Sequence, residues 1–339
     1  MGRSRSPLKV LGAIALGTGL VAVGGVAGVR AAGRRIRSTT HPDTDPLLTP
    51  PEDVTHRTVT TGDGAEIHLV ERGEGRPLVL LHGVTLQWWV WGAQFNSLSD
   101  RFRVIAWDMR GHGRSTVGSE GITLEAIADD HAAVLEELDL RDAVVVGHSM
   151  GGMALGRFCA RHEDLMSERC GGLMFLDTSA APLALPALLE GSTRAQEVVR
   201  RAAYAGTSRP RIRYAWPDTD LSLVMVRAAF GRDPSAKAVE DVREMLAEMD
   251  HDHLVAAGRA IVDHDVRKDL SHVKVPAMVV VGSADLLTPV HQSKVLRDAM
   301  PGSVLHVLPG IGHQTMQEAP ERFAELVDEL AVMADPPAG

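Results

Sequence analysis

Short apolar runs recur along the body of the chain: Pro77 to Leu81, Val104 to Trp107, Ala143 to Val146, Leu173 to Leu176, Ala277 to Val281 and Val304 to Leu308. Each is too short for a helix and apolar at every position, so both of its faces need cover. That is the situation of a central strand in a parallel sheet. Ahead of them, the β-prone segments Thr58 to Thr60 and Glu66 to Val70 flank Gly62-Asp63-Gly64, a hairpin signal. Between the runs the period changes to that of a helix. Ile122, Ile127, Val134, Leu135 and Leu138 mark a helix over Thr123 to Leu138, and Phe323, Leu326, Val327 and Leu330 mark one over Pro320 to Met333, with proline in its first turn. Strand and helix in alternation predict an α/β protein with a doubly wound, mostly parallel sheet, whose site lies beyond the carboxyl ends of the strands.

The alternation stops after Leu176. From Ser179 to Leu270 the spacing is roughly helical, broken by Pro210, Pro217 and Pro234, and predicts a helical lid over residues 179–270 between two core parts, 54–178 and 271–334. At the amino end, Val10 to Val29 carries no charge. As a helix rising about 1.5 Å per residue it would reach roughly 30 Å, one hydrocarbon core. Residues 1–37 are therefore read as a membrane anchor through residues 10–29, or as a cleaved export signal with Val29-Arg30-Ala31 as its small-residue site. Residues 38–53 hold Pro42, Pro46, Pro50 and Pro51 without a period and are read as a Pro-rich linker.

Net charge sharpens this picture. The chain is −9 overall, yet residues 1–37 contribute only cations (Arg3, Arg5, Lys9, Arg30, Arg34, Arg35, Arg37), so the remainder is more acidic still. An acidic body with 4% aromatic residues is a poor surface for nucleic acid. Cys159 and Cys170 make neither a disulfide framework nor a Cys-x-x-Cys metal or redox motif.

Directly after the Ala143 strand comes Gly147-His148-Ser149-Met150-Gly151-Gly152, followed by an apolar stretch that reads as a helix. A strand, a tight turn and a helix would project the Ser149 hydroxyl above the sheet at a helix amino end, with Gly147 and Gly151 leaving room for the turn. A serine hydroxyl needs a base, and the base needs a carboxylate to orient it. Asp285 follows the Ala277 strand and His313 follows the Val304 strand, the positions such partners would take; Asp177, at the end of the Leu173 strand, is a second candidate acid. His82-Gly83-Val84 ends the Pro77 strand and would aim the Val84 N–H at the same point as the Met150 N–H, two donors for a developing oxyanion. This chemistry calls for no metal and no cofactor.

Taken together, His82-Gly83, Asp108-Met109-Arg110-Gly111-His112-Gly113-Arg114-Ser115, the Ser149 elbow, Asp285 and His313 make the chain from about Val54 to Met333 resemble the α/β-hydrolase superfamily. The GHSMGG elbow is similar to that of monoacylglycerol lipases and carboxylesterases. The resemblance implies an α/β-hydrolase fold and a serine esterase with a small-molecule ester substrate, its acyl group apolar. Carbon-carbon bond hydrolases and cofactor-free haloperoxidases or perhydrolases share the text, and a binding protein without turnover is a third reading. Ser149 argues against dehalogenases and epoxide hydrolases, which carry aspartate there. Trp88 and Trp89 are candidates for an acyl pocket, with Trp91 read as core. The Asp108 to Ser115 motif is read as structural. His251, Asp252, His253 and His264 are read as a polar helix face and not a metal site, and Arg194, Arg200, Arg201, Arg209, Arg211 and Arg213 as a solvated or membrane-facing lid surface.

Overall fold

The computed structural model describes residues 25–182, 219–262 and 264–335. An eight-stranded sheet with order β1-β2-β4-β3-β5-β6-β7-β8 forms its centre. The strands are β1 (Thr55–Thr60), β2 (Glu66–Arg72), β3 (Arg76–Leu81), β4 (Phe102–Trp107), β5 (Ala143–His148), β6 (Cys170–Leu176), β7 (Ala277–Gly282) and β8 (Val304–Leu308). The first two make the expected hairpin and join β4 antiparallel; every pairing from β4 onward is parallel. The doubly wound, mostly parallel sheet read from the alternation is the one present.

Side chains alternate across this sheet with the period of two that strands impose. Leu78, Leu80, Val144, Val146, Met174, Leu176, Met278 and Val280 face one layer. Val79, Leu81, Val145, Leu173, Phe175 and Val279 face the other. The first layer holds α3 (Gly92–Leu98) and α12 (Pro320–Ala334), whose Phe323, Leu326, Val327 and Leu330 are fully buried. Each such side chain contributes about 1.5–3 kcal/mol relative to solvent exposure. The second layer holds α4 (Leu124–Glu137) and α5 (Met150–Arg161). Thr123 caps α4 by accepting the Ala126 N–H at 3.0 Å, which is why that helix starts where its periodicity does.

Three features depart from the sequence reading. β8 was expected to be central, but it pairs only with β7 and leaves Val304 and Val307 more than a third exposed. Residues 38–53 are not a free linker. One turn of helix, α2 (Asp45–Leu48), buries Leu48 against α3, and the Asn96 amide donates to the carbonyls of Leu47 and Thr49 at 2.9 and 2.7 Å. A single turn has no period to read, so composition alone suggested a linker. Further upstream, α1 (Val26–Arg37) starts inside the uncharged run and lies on α7 (Asp220–Arg227), tied by Arg37 to Asp220 at 2.5 Å and to Glu240 at 3.3 Å. The remainder of the uncharged run, up to residue 24, falls outside the described residues. No helix among the described residues is long and apolar enough to cross a membrane.

Between β6 and β7 the described residues form α7, α8 (Ala236–Glu248) and α9 (His251–Val262). Thr219 and Ser235 cap the first two. Residues 183–218, including the six arginines from Arg194 to Arg213, lie outside the described residues. Among the described residues the remaining α-helices are α6 (Glu163–Arg169), α10 (Val290–Ala299) and the one-turn α11 (Thr315–Glu318), and Trp88–Trp91 form a 3-10 turn.

Candidate active site

At the carboxyl end of β5 the chain must reverse into α5 within one residue, and Ser149 is that residue. Its φ of +52° and ψ of −118° put a side-chain-bearing residue where L-amino acids seldom go. The conformation persists because its surroundings fix it. Ser149 N–H donates to the Leu176 carbonyl at 3.0 Å, and the Ser149 carbonyl accepts the Thr178 hydroxyl at 2.7 Å. Glycine is required on both sides. A Cβ on Gly147 would sit 2.7 Å from the Gly151 carbonyl oxygen, and one on Gly151 2.5 Å from that of His82. Gly152 is equally constrained, with Gly147 oxygen and Thr178 at 2.7 Å, a requirement the sequence reading did not assign to it.

Three side chains from three strand ends meet here. His313 Nε2 lies 2.9 Å from Ser149 Oγ, and His313 Nδ1 lies 2.8 Å from Asp285 Oδ2. A carboxylate can only accept, so Nδ1 carries the proton and Nε2 is left free to receive one from the serine. Asp285 is itself held: Oδ1 accepts the N–H groups of Leu287 and Thr288 at 2.7 and 3.0 Å, and Oδ2 accepts the Thr288 hydroxyl at 2.8 Å. Burial acts to raise its pKa, but the attraction and hydrogen bond of His313 and the Thr288 donors outweigh that and take it down to about 2. Burial conversely acts to lower His313, and the adjacent Asp285 carboxylate lifts it above the ordinary imidazole value.

Asp177, the second candidate acid, does not touch the histidine. It is fully buried and accepts the N–H groups of Gly282 at 3.0 Å and Thr315 at 3.2 Å, joining the loops that carry Asp285 and His313. Burial first, then repulsion from Asp285, pushes its pKa up to about 7. His148, unassigned in the sequence, is fully enclosed and lowered to about 3 chiefly by burial, so it stays neutral. Its Nε2–H donates to the His313 carbonyl at 2.8 Å.

The loop after β3 abuts the elbow. A Cβ on Gly83 would stand 3.0 Å from Ser149 Cβ and 2.9 Å from His148 Nδ1. His82 fixes this loop through both ring nitrogens, Nδ1 donating to the Gly83 carbonyl at 2.7 Å and Nε2 accepting the Met109 N–H at 3.0 Å. Val84 follows in a turn whose next residue, Thr85, has φ of +67°. The Val84 N–H has no acceptor among the described residues, and Met150 opens α5, where the first N–H groups have no intrahelical partner. Both are free to serve an oxyanion.

Trp88 packs edge-on to Phe95 at 5.7 Å and to His56 at 6.1 Å, while the Trp89 indole donates to the Gln87 side chain at 3.1 Å. Trp91 is fully buried, edge-on to His148 at 6.4 Å and against Phe323 at 5.9 Å, the core position read from the sequence. Asp108 organises the neighbouring loops, accepting the N–H groups of Trp88 and Arg114 and pairing with His68. Among the described residues His253 meets the Gly111 carbonyl and His264 that of Ser179, and no group of three candidate metal ligands forms.

With this geometry in place, the sequence model of the alpha/beta hydrolase family matches residues 78–326. The AB hydrolase superfamily protein YisY of Bacillus subtilis is 27% identical over 274 residues, covering 80% of this chain and 98% of that protein. The non-heme chloroperoxidase CPO-A1 of Kitasatospora aureofaciens is 30% identical over 264 residues, 75% of this chain and 90% of that one. Among solved structures, a thermophilic esterase from Thermogutta terrifontis is 28% identical with a TM-score of 0.67, over 83% of this chain and all of that one.

Proposed function

The chain belongs to the alpha/beta hydrolase family and is a hydrolase of that type; on that basis we propose that it cleaves a carboxylic ester through an acyl-enzyme on Ser149. The observation that carries this reading is the unbroken hydrogen-bond chain Ser149-His313-Asp285 at the head of α5, with the serine held at positive φ. His313 Nε2 takes the Ser149 proton as Oγ attacks the ester carbonyl, and Asp285 fixes the tautomer and stabilises the imidazolium. The negative oxygen of the tetrahedral intermediate is met by the Val84 and Met150 N–H groups, each worth about 2.7–4 kcal/mol in the transition state. The imidazolium returns its proton to the leaving alcohol. Water, activated by the same nitrogen, then releases the acid. The segment between β6 and β7, which carries α7 to α9 among the described residues, would act as a lid, and the acyl group would be apolar.

A panel of nitrophenyl esters of increasing acyl length tests the proposal. Turnover is expected, with kcat/KM rising from acetate to a medium-chain optimum. A second reading, formation of a peracid from a carboxylic acid and peroxide, is favoured by the similarity to a non-heme chloroperoxidase. No turnover of any ester, together with peroxide- and carboxylate-dependent halogenation, would replace the first reading by the second.

The uncharged sequence from Val10 to Val29 supports attachment to a membrane or export through one. Either route removes the full-length chain from the soluble fraction of the cells that make it. The unprocessed chain recovered in that fraction after high-speed sedimentation would contradict both.

A further inference from the structure

Every backbone N–H from Gly312 to Thr315 is engaged, and the partners come from outside the triad. Gly312 N–H donates to Glu318 Oε1 at 2.9 Å, and Gln314 N–H reaches the same oxygen at 3.4 Å. His313 N–H donates to the Ala229 carbonyl at 2.8 Å, and Thr315 N–H to Asp177. Ala229 belongs to the loop after α7, in the segment between β6 and β7. That loop lies against the base loop as a miniature ladder, in which Arg232 N–H also donates to the Gly310 carbonyl at 2.9 Å. Contact is backbone to backbone. A Cβ on Gly231 would stand 2.6 Å from Gly312 N, and one on Gly312 would run into Gly231 N and Phe230.

Glu318 closes this seam. Its Oε2 accepts the Gly231 N–H at 2.7 Å while Oε1 holds Gly312, so one half-buried side chain bridges the inserted segment and both residues flanking the histidine. Arg227 of α7 faces the same carboxylate and holds the loop carbonyls of Phe230 and Arg232 at 3.2 and 3.0 Å. Neither Glu318 nor Arg227 has a role in the reaction proposed above.

We propose that Glu318 is a positioning residue that locks His313 in place and makes its alignment depend on the seating of the loop after α7. The inference rests on the ester-hydrolase reading, because it assigns His313 as the base. Substrate contacts that lift or settle the inserted segment would then reach the imidazole through Gly231, Glu318 and Gly312. Glu318 also acts by charge. The ionisable groups facing His313 are Asp285 from the loop after β7, Asp177 from the end of β6, His148 from the end of β5 and Glu318 from α11; the three carboxylates all favour the imidazolium. The base works as neutral imidazole, so activity falls as pH drops through the His313 pKa. Removing one carboxylate lowers that pKa and carries the acid limb of kcat/KM to lower pH.

Two variants separate the two effects. Glu318→Gln removes the charge and turns an NH2 toward one of the N–H donors. Glu318→Asp keeps the charge but is too short to span both loops. Both are expected to lower kcat by roughly ten- to hundred-fold with KM little changed, since a displaced base is costly. Only Glu318→Gln should move the acid limb downward. Folded fraction is checked by circular dichroism and rates are corrected for it. Corrected rates and acid limbs that superimpose on wild type would overturn the inference, as would a loss of rate in Glu318→Gln with no movement of the limb. Failure of the wild type itself to turn over any ester would instead overturn the reading on which the inference stands.

Discussion

Ser149→Ala should lower ester turnover by roughly 10⁴- to 10⁶-fold and abolish labelling by a fluorophosphonate, while leaving KM for residual hydrolysis within a few fold. The size of the loss follows from what remains. His313 and Asp285 would still be joined at 2.8 Å and the Val84 and Met150 N–H groups would still be in place, so the variant keeps substrate binding and the oxyanion donors but has no atom to form the acyl bond. Alanine at 149 keeps the Ser149 backbone bonds to Leu176 and Thr178, because both use main-chain atoms. Its melting temperature should therefore stay within a few degrees of wild type, which distinguishes loss of chemistry from loss of fold. Turnover of the variant within tenfold of wild type would remove Ser149 from the mechanism.

The largest effect on stability is expected at Arg110. Its side chain is 1% exposed and is enclosed by Asp130, also buried, and Asp63. The guanidinium donates to both oxygens of Asp130 at 2.7 and 2.5 Å, to both oxygens of Asp63 at 2.9 and 3.2 Å and to the Gly121 carbonyl at 2.9 Å. Two carboxylates in one buried place are tolerable only with that cation between them. Arg110→Met should cost about 3–5 kcal/mol, the usual result of stranding a buried charge. The loss should also depend on pH in a stated direction. Burial already raises Asp130, whereas burial of Asp63 is outweighed by Arg110 and its carboxyl falls well below the ordinary range. Without the cation burial holds Asp130 still further above its unfolded value, so the variant is most stable when Asp130 is protonated and loses stability as pH rises through that raised value. Urea titrations at pH 5 and pH 8 read this directly. A deficit under about 1 kcal/mol, or one that shrinks toward alkaline pH, would contradict it.

Where periodicity exists, the sequence was enough. β3 to β7 fall on the apolar runs because a two-faced core demands apolar residues at every position, and α4 and α12 fall where the apolar stripe repeats at helical spacing. β8 shows the limit of this logic. Val304 and Val307 are as apolar as their counterparts in β7, and only the end of the strand order makes them an edge. The site divides in the same way. Ser149, Asp285 and His313 were legible because each follows a strand directly in a glycine-bearing turn, and the parallel sheet puts such turns along one rim. His148 and Glu318 gave no such signal: the first depends on burial behind His313, the second on a loop brought from more than eighty residues away, as the 87-residue separation from Gly231 shows. Among the tryptophans, Trp91 was legible as core and is fully buried beside His148, and the single 3-10 turn Trp88–Trp91 sets Trp88 against His56 and Phe95.

The most direct test is to react the wild-type chain with a fluorophosphonate, digest it, and locate the adduct by mass spectrometry. A single phosphonyl group on the peptide containing Ser149, formed in step with the loss of ester turnover, is the result this account predicts. An adduct on any other residue, or full inactivation with Ser149 unmodified, would contradict it.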